Sequence, residues 1–299
     1  MSLLALVAAA FISNSASLPQ DTPTSVEDIE VRAEASRQAQ RQQVERFVEG
    51  AMTSPRGRPL ARWNKEVCLS AMNFQPNYAR ALLDRIGVRM LQAGLDVKEE
   101  GCRPDVMIVA TNDGKALARS IVSNNENGLR PSRANTDLGS AALRDFQEAD
   151  RPIRWWHVSL PVSADTGDIA VRLDGEDPPT ITVREASRLR SNTRDDLARI
   201  IIIVETSSLS GVVGTALADY LAFISMAQVD PDNDMSGYNT ILNLLDAPTE
   251  YLEMTTWDQD LLAGLYSVDT PRIRADQQLR DISSAVVRQR EADGRKQED

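Results

Sequence analysis

The chain has one histidine, His157, in 299 residues. A hydrolytic zinc site normally includes histidine among at least three protein ligands. Two imidazoles one helical turn apart cannot be supplied, so ordinary zinc hydrolysis is excluded. Cysteine is almost as scarce: Cys68 and Cys102 are the two present, and they form no CxxC pair. Beyond the N-terminus, no stretch has the length and apolarity of a membrane-spanning helix. Positive charge is in deficit, with 33 Lys and Arg against 44 Asp and Glu and a net charge of -11. That balance argues against nucleic-acid partners, which need clustered cations, and against adsorption to anionic lipid. The arginines of residues 184–199 are interleaved with acids and read as a solvated face.

The N-terminus is uncharged. Leu3 to Ile12 is an apolar run too short to span a bilayer, followed by Ser13 to Ser17 and Pro19. This is the layout of a secretory signal, although no Lys or Arg precedes the apolar run. Residues 1–20 are therefore expected to be a signal peptide, and the protein to be periplasmic or secreted. In an oxidising compartment Cys68 and Cys102 are expected to be bridged. The alternative is a reactive thiol, but neither cysteine has an adjacent His or a CxxC partner to lower its pKa.

Residues 21–60 read as an exposed, partly helical arm. Val31 to Met52 is rich in Arg, Gln and Glu, and its apolar stripe (Val44, Phe47, Val48) is thin. Residues 61–292 read as a single α+β domain, and residues 293–299 as a disordered tail. Strands are predicted at Val67–Ala71, Val106–Ala110, Trp155–Leu160, Ile169–Leu173, Ile181–Val183 and Arg199–Thr206. The last of these, RIIIIVET, is apolar enough to be central and covered on both faces. Helices are predicted at Pro76–Gly94, around Lys115–Val122 and Leu138–Glu148, at Ser210–Val229 with almost no polar face, and briefly at Asn239–Leu245. Thr255, with Asp258 three residues on, has the chemistry of an N-cap for a helix running to Tyr266. A charged helix spans Arg272–Arg290. The expected architecture is a mixed sheet packed against a buried helix, with an exposed N-terminal arm and a C-terminal helix.

Arg199 to Tyr266 resembles the catalytic half of the zincin metalloproteases, most closely an uncharacterised group of exported zincin-like proteins of Gram-negative bacteria. The residues that carry the likeness are the strand RIIIIVET, the helix with ADYLAFISMAQ, then YNTILNLLD and MTTWDQDLLAGLY. In active metzincins that helix bears HExxHxxGxxH. If Asp219 occupies the catalytic Glu position, the metal-binding histidines fall on Ala218, Ala222 and Gln228, and Ser225 replaces the small Gly. The resemblance thus implies a zincin-like core emptied of every metal ligand, with no cofactor.

Other constellations are weaker. Strand alternation places His157 opposite Trp156 and Val158; a Ser–His–Asp triad could use it in principle, but no GxSxG elbow exists. It reads as a half-buried histidine. Asp230, Asp232, Asp234 and Ser236 alternate like the opening of an EF-hand calcium loop. Met235 stands where that loop needs Gly, and Ile241 where it needs a bidentate Glu. An acidic turn is expected, with a weak calcium site as the alternative. Asp219 interrupts an apolar helix, so it must find a partner or reach solvent. The expectation is a non-catalytic exported envelope protein that binds an envelope protein or polymer, or supports structure. The alternative is a metal-independent hydrolase acting on envelope material. A cleft filled by Phe223 and Met226 would favour the binder.

Overall fold

The computed structural model describes residues 26–183, 190–268 and 274–298. The expected signal segment, 1–20, lies outside the described residues. The chain divides into two units, residues 1–39 and 40–299. The described part of the first is the opening stretch of helix α1 (Val26–Ala51), and the second holds the fold proper.

Four strands, β1 (Leu69–Met72), β2 (Val106–Thr111), β3 (Ile153–Ser163) and β4 (Thr193–Glu205), form one mixed sheet in the order β1-β2-β4-β3. The first two and β4 run parallel, and β3 pairs antiparallel to β4 at the edge. The parallel β1–β2 pair needs a crossover, supplied by α2 (Pro76–Gln92). Helices α3 (Gly114–Leu129) and α4 (Gly139–Glu148) follow β2, and α5 (Gly214–Met226), α6 (Thr256–Ser267) and α7 (Ala275–Glu298) follow β4. The fold is α+β, as expected.

β4 shows why. Its run Ile200–Val204 is at most 2% exposed at every residue, so both of its faces are covered. Period-two alternation sends Ile200, Ile202 and Val204 into the larger core, with α2, α5, α6 and α7, and Ile201 and Ile203 into a smaller one, with α3 and α4. β3 obeys the same alternation. Trp155 packs into the larger core, Trp156 and Val158 into the smaller.

Six expectations need correction. The segment expected as an exposed arm is exposed at residues 34–39, but Val44, Phe47 and Val48 are fully buried, and Leu60 nearly so. A stripe at i, i+3 and i+4 is one turn wide yet sufficient, because Phe47 wedges between Tyr238 and Trp257, with ring centroids at 5.3 and 5.0 Å. Ile169–Leu173 and Ile181–Val183 are not strands. Ile169 makes an isolated bridge to Val162, and Pro178 and Pro179 precede the second segment without N–H groups to donate. β4 starts six residues before the predicted Arg199, at Thr193: past a register shift at Val158/Ser159 its polar half still pairs with β3. Asn239–Leu245 holds one 3-10 turn, Ile241–Asn243, and not an α-helix. Finally, α7 continues to Glu298, through the stretch expected to be a disordered tail.

Candidate functional site

β4 runs through a 3-10 turn (Thr206–Ser208) towards α5, where every residue from Ala216 to Met226 is buried. A helix with no polar face fits the inside of a domain, but its end leaves carbonyls without intrahelical partners. Buried, each needs a donor. Phe223 O accepts from Ala227 N at 3.1 Å. Ile224 O is met by His157 Nε2 at 2.8 Å, Ser225 O by Trp63 Nε1 at 2.7 Å, and Met226 O by the Tyr266 hydroxyl at 2.7 Å. Three ring side chains, from β3, the segment before β1, and α6, thus close the helix end. The sole imidazole belongs to this cap. It is half-buried, and burial lowers its pKa from 6.5 to about 4, with the carbonyls of Ile224 and Ala227 pulling weakly the other way.

Asp219 sits inside the same helix and is fully buried. α2 answers it with two arginines one turn apart. Arg85 donates through Nε and Nη2 at 2.8 and 2.9 Å, and Arg89 through Nε and Nη2 at 2.9 and 2.5 Å. The Met254 N–H adds a fifth bond at 2.8 Å. Burial alone would raise this carboxyl's pKa, but the bonds from Arg89, Arg85 and Met254 outweigh it and hold the group below the usual carboxylate range. Glu253 stands 3.6 Å from both guanidiniums at the surface. Asp219 is therefore a fully partnered anion that joins α5 to α2 and to the start of α6.

The other positions singled out in the sequence fall as follows. Ala218 and Ala222 lie in the core at 1% and 0% exposure, beside Phe223 and Met226. Gln228 is buried, and its Oε1 accepts from Ala61 N at 2.6 Å. Ser225 Oγ donates back to Leu221 O within the helix, at 2.6 Å. The four relic positions therefore share one helix and its exit but open onto no cleft. Asp230 Oδ1 accepts from Asp232 N, Asp234 Oδ1 from Ser236 N, Asp232 pairs with Arg151 at 2.8 Å, and Asp230 N and Asn233 Nδ2 donate to the Ala51 and Gly50 carbonyls, so the acidic turn is held by its own backbone, one arginine and the end of α1. Cys68 and Cys102 form a disulfide with Cα atoms 6.0 Å apart, clasping the strand–helix–strand unit β1–α2–β2. The capping box at Thr255 is present: its Oγ1 and N–H both reach Asp258, whose carboxylate also takes Thr240 Oγ1 at 2.5 Å and Ile241 N at 2.8 Å. That carboxyl is fully buried, and burial pushes its pKa up against the pull of these donors.

Open space lies next to this scaffold. Arg89 borders a cavity of about 690 Å³ walled by the end of α2, by α6 and by α7, with Gln40 of α1 at its rim. Its polar lining includes Arg89, Gln92, Thr256, Gln259, Asp260 and Arg290. Arg89 Nη1 donates to Gln92 Oε1 at 3.1 Å, and Gln259 Nε2 to Met254 O at 3.1 Å. The Arg290 guanidinium carbon lies over Trp257, 3.8 Å from the ring centroid. A smaller cavity of about 250 Å³ is bordered by His157, Arg151 and Arg154. There Arg154 donates to the carbonyls of Phe146, Gln147, Ala149 and Arg151, closing α4, so its cation is structural.

The sequence did not point to the 690 Å³ cavity. Arg85 and Arg89, spaced i, i+4 beside an apolar stripe, were a legible sign that α2 answers a buried anion; nothing local singled out Arg290 or the glutamines. Among the described residues, no group of three or more His, Cys, Asp and Glu side chains is arranged to hold a metal ion, and no helix is long and apolar enough to cross a membrane. No protein-family model, curated protein or solved structure matches this chain.

Proposed function

We propose that this chain is a non-catalytic binding or support protein of the cell envelope, exported and disulfide-clasped. One observation carries the proposal: the groups that could do chemistry in the helix and its surroundings are committed to holding it. His157 caps α5, Asp219 anchors it to two arginines, Asp258 accepts four hydrogen bonds, and Tyr266 closes the helix end. A general base needs a lone pair within reach of substrate, and a nucleophile needs an adjacent base. Here the protons and carboxylate lone pairs named above are engaged in holding α5 and α6. The zincin likeness belongs to this proposal as a layout of strand β4, helix α5 and capped helix α6, with the metal positions filled by Ala218, Ala222 and Gln228.

The apolar start of the chain and the disulfide support export. With a net charge of -11, the partner is a protein or polymer that tolerates an acidic surface. The test is to sediment the purified protein with cell-wall sacculi and outer-membrane fragments while assaying the supernatant for released fragments. Co-sedimentation without release supports a binder. Steady release of soluble fragments by the metal-free protein would instead favour the hydrolase.

A further inference from the structure

The 690 Å³ cavity holds a feature that the scaffold does not explain. Arg290 lines it with a side chain that is 21% exposed; its Nη1 is buried, makes no hydrogen bond among the described residues, and is ion-paired with the Asp260 carboxylate at 3.6 Å. A guanidinium carries more N–H donors than this one long ion pair engages, and the exposed part of the group leaves donors for a ligand, ion or water to complete. Arg290 is also held ready. Its guanidinium carbon sits over Trp257, and Trp257 is in turn packed by Phe47 and Tyr238, with ring centroids at 5.0 and 6.0 Å. A stacked guanidinium has lost little freedom still to lose on binding, and its planar fork matches an oxyanion bidentately.

The surroundings add specificity. Gln92 and Gln259 line the same cavity, each with one amide atom engaged, by Arg89 and by the Met254 carbonyl, and with the other able to donate or accept. Arg89 adds positive potential, although its own fork is occupied by Asp219.

We propose that this cavity binds a small polar molecule bearing an oxyanion, with the anion on Arg290 and neighbouring donor and acceptor groups read by the glutamines. The proposal rests on the binding function above and names the ligand class of that protein. A carboxylate beside an amide and a phosphate share the required chemistry.

The test uses the disulfide-bonded full chain, labelled with 15N and titrated separately with N-acetylglycine and with inorganic phosphate. The Arg290 Nε–H resonance, assigned by its loss in R290K, and the glutamine side-chain amides are the readouts. A saturable shift with N-acetylglycine alone supports the proposal with a carboxylate ligand; saturation with phosphate alone supports it with a phosphate ligand. R290Q should weaken the binding about tenfold or more, as expected for loss of a charge-assisted fork. If R290Q does not fold, R290K carries the same test, because it keeps the charge and loses the fork. Absence of saturable shifts with either probe overturns the proposal, as does binding that R290Q and R290K leave unchanged. Failure here with the sacculus assay still showing binding without release removes the cavity and spares the function. Fragment release with the cavity still binding does the reverse.

Discussion

Replacing Asp219 with Ala separates a structural anion from a catalytic one. The carboxylate is fully buried, while the Arg89 and Arg85 side chains are 11% and 32% exposed. Removing one member of a buried ion pair costs about 3–5 kcal/mol, because the remaining charge is left without compensation. Arg85 can swing towards water, and Glu253 at 3.6 Å offers partial replacement, so the lower end applies, about 3 kcal/mol. For a domain of this size that is a fall in melting temperature of roughly 6–12 °C. Urea unfolding followed by circular dichroism measures it, with an unchanged m-value expected because the surface exposed is the same. A charge-neutral triple variant, D219L with R85L and R89L, should recover part of the loss, since no cation is then stranded. The sign of the pH effect follows from the depressed pKa of Asp219: its contribution is present above the ordinary carboxylate pKa and is lost as pH falls through the lower folded value. A loss below about 1 kcal/mol in D219A, the range of an exposed pair, would refute the assignment.

The remaining predictions concern the caps and the clasp. With a folded pKa of about 4 against 6.5 unfolded, His157 contributes stability that is full above pH 6.5 and lost as pH falls towards 4. The full shift would be worth about 3 kcal/mol, and partial exposure brings the expected value to about 1–3 kcal/mol. H157Q, which can still donate to Ile224 O, should flatten that window in a pH series of urea midpoints. Y266F strands the buried Met226 carbonyl and should cost about 1–3 kcal/mol by thermal unfolding. The pair C68A/C102A, which opens a loop of 34 residues' separation, should lose about 3–4 kcal/mol, and reducing agent should lower the melting temperature of the wild type but not of the pair.

Much of the fold was legible because it rests on local chemistry. RIIIIVET announced a strand covered on both faces, ADYLAFISM a buried helix, and Thr255 with Asp258 a capping box, and each is present. What escaped depends on partners distant in sequence. The arm's three apolar residues look too few until Tyr238 and Trp257 are seen around Phe47. The polar start of β4 reads as a solvated face until Asp195 is found paired with Arg58 at 2.5 Å. Ile169 meets the β3 edge only as an isolated bridge to Val162, and Ile181 follows two prolines that cannot donate to a ladder. The same division applies to the site. Asp219 was conspicuous as a carboxylate in an apolar helix, whereas the capping roles of His157, Trp63 and Tyr266 require knowing where α5 ends in space. Arg290 on Trp257 joins two helices, and no single segment could have disclosed it.

Amide hydrogen exchange across Gly214–Met226, followed by mass spectrometry with the disulfide intact, goes straight to whether α5 is a sealed element or the wall of a working cleft. A sealed helix predicts that these amides exchange only through global unfolding, with protection equal to the unfolding free energy. Rapid exchange of the Ala218–Ala222 turn while β4 stays protected would mean that the helix opens to solvent on its own. That result would contradict the structural role assigned to Asp219 and the three ring caps.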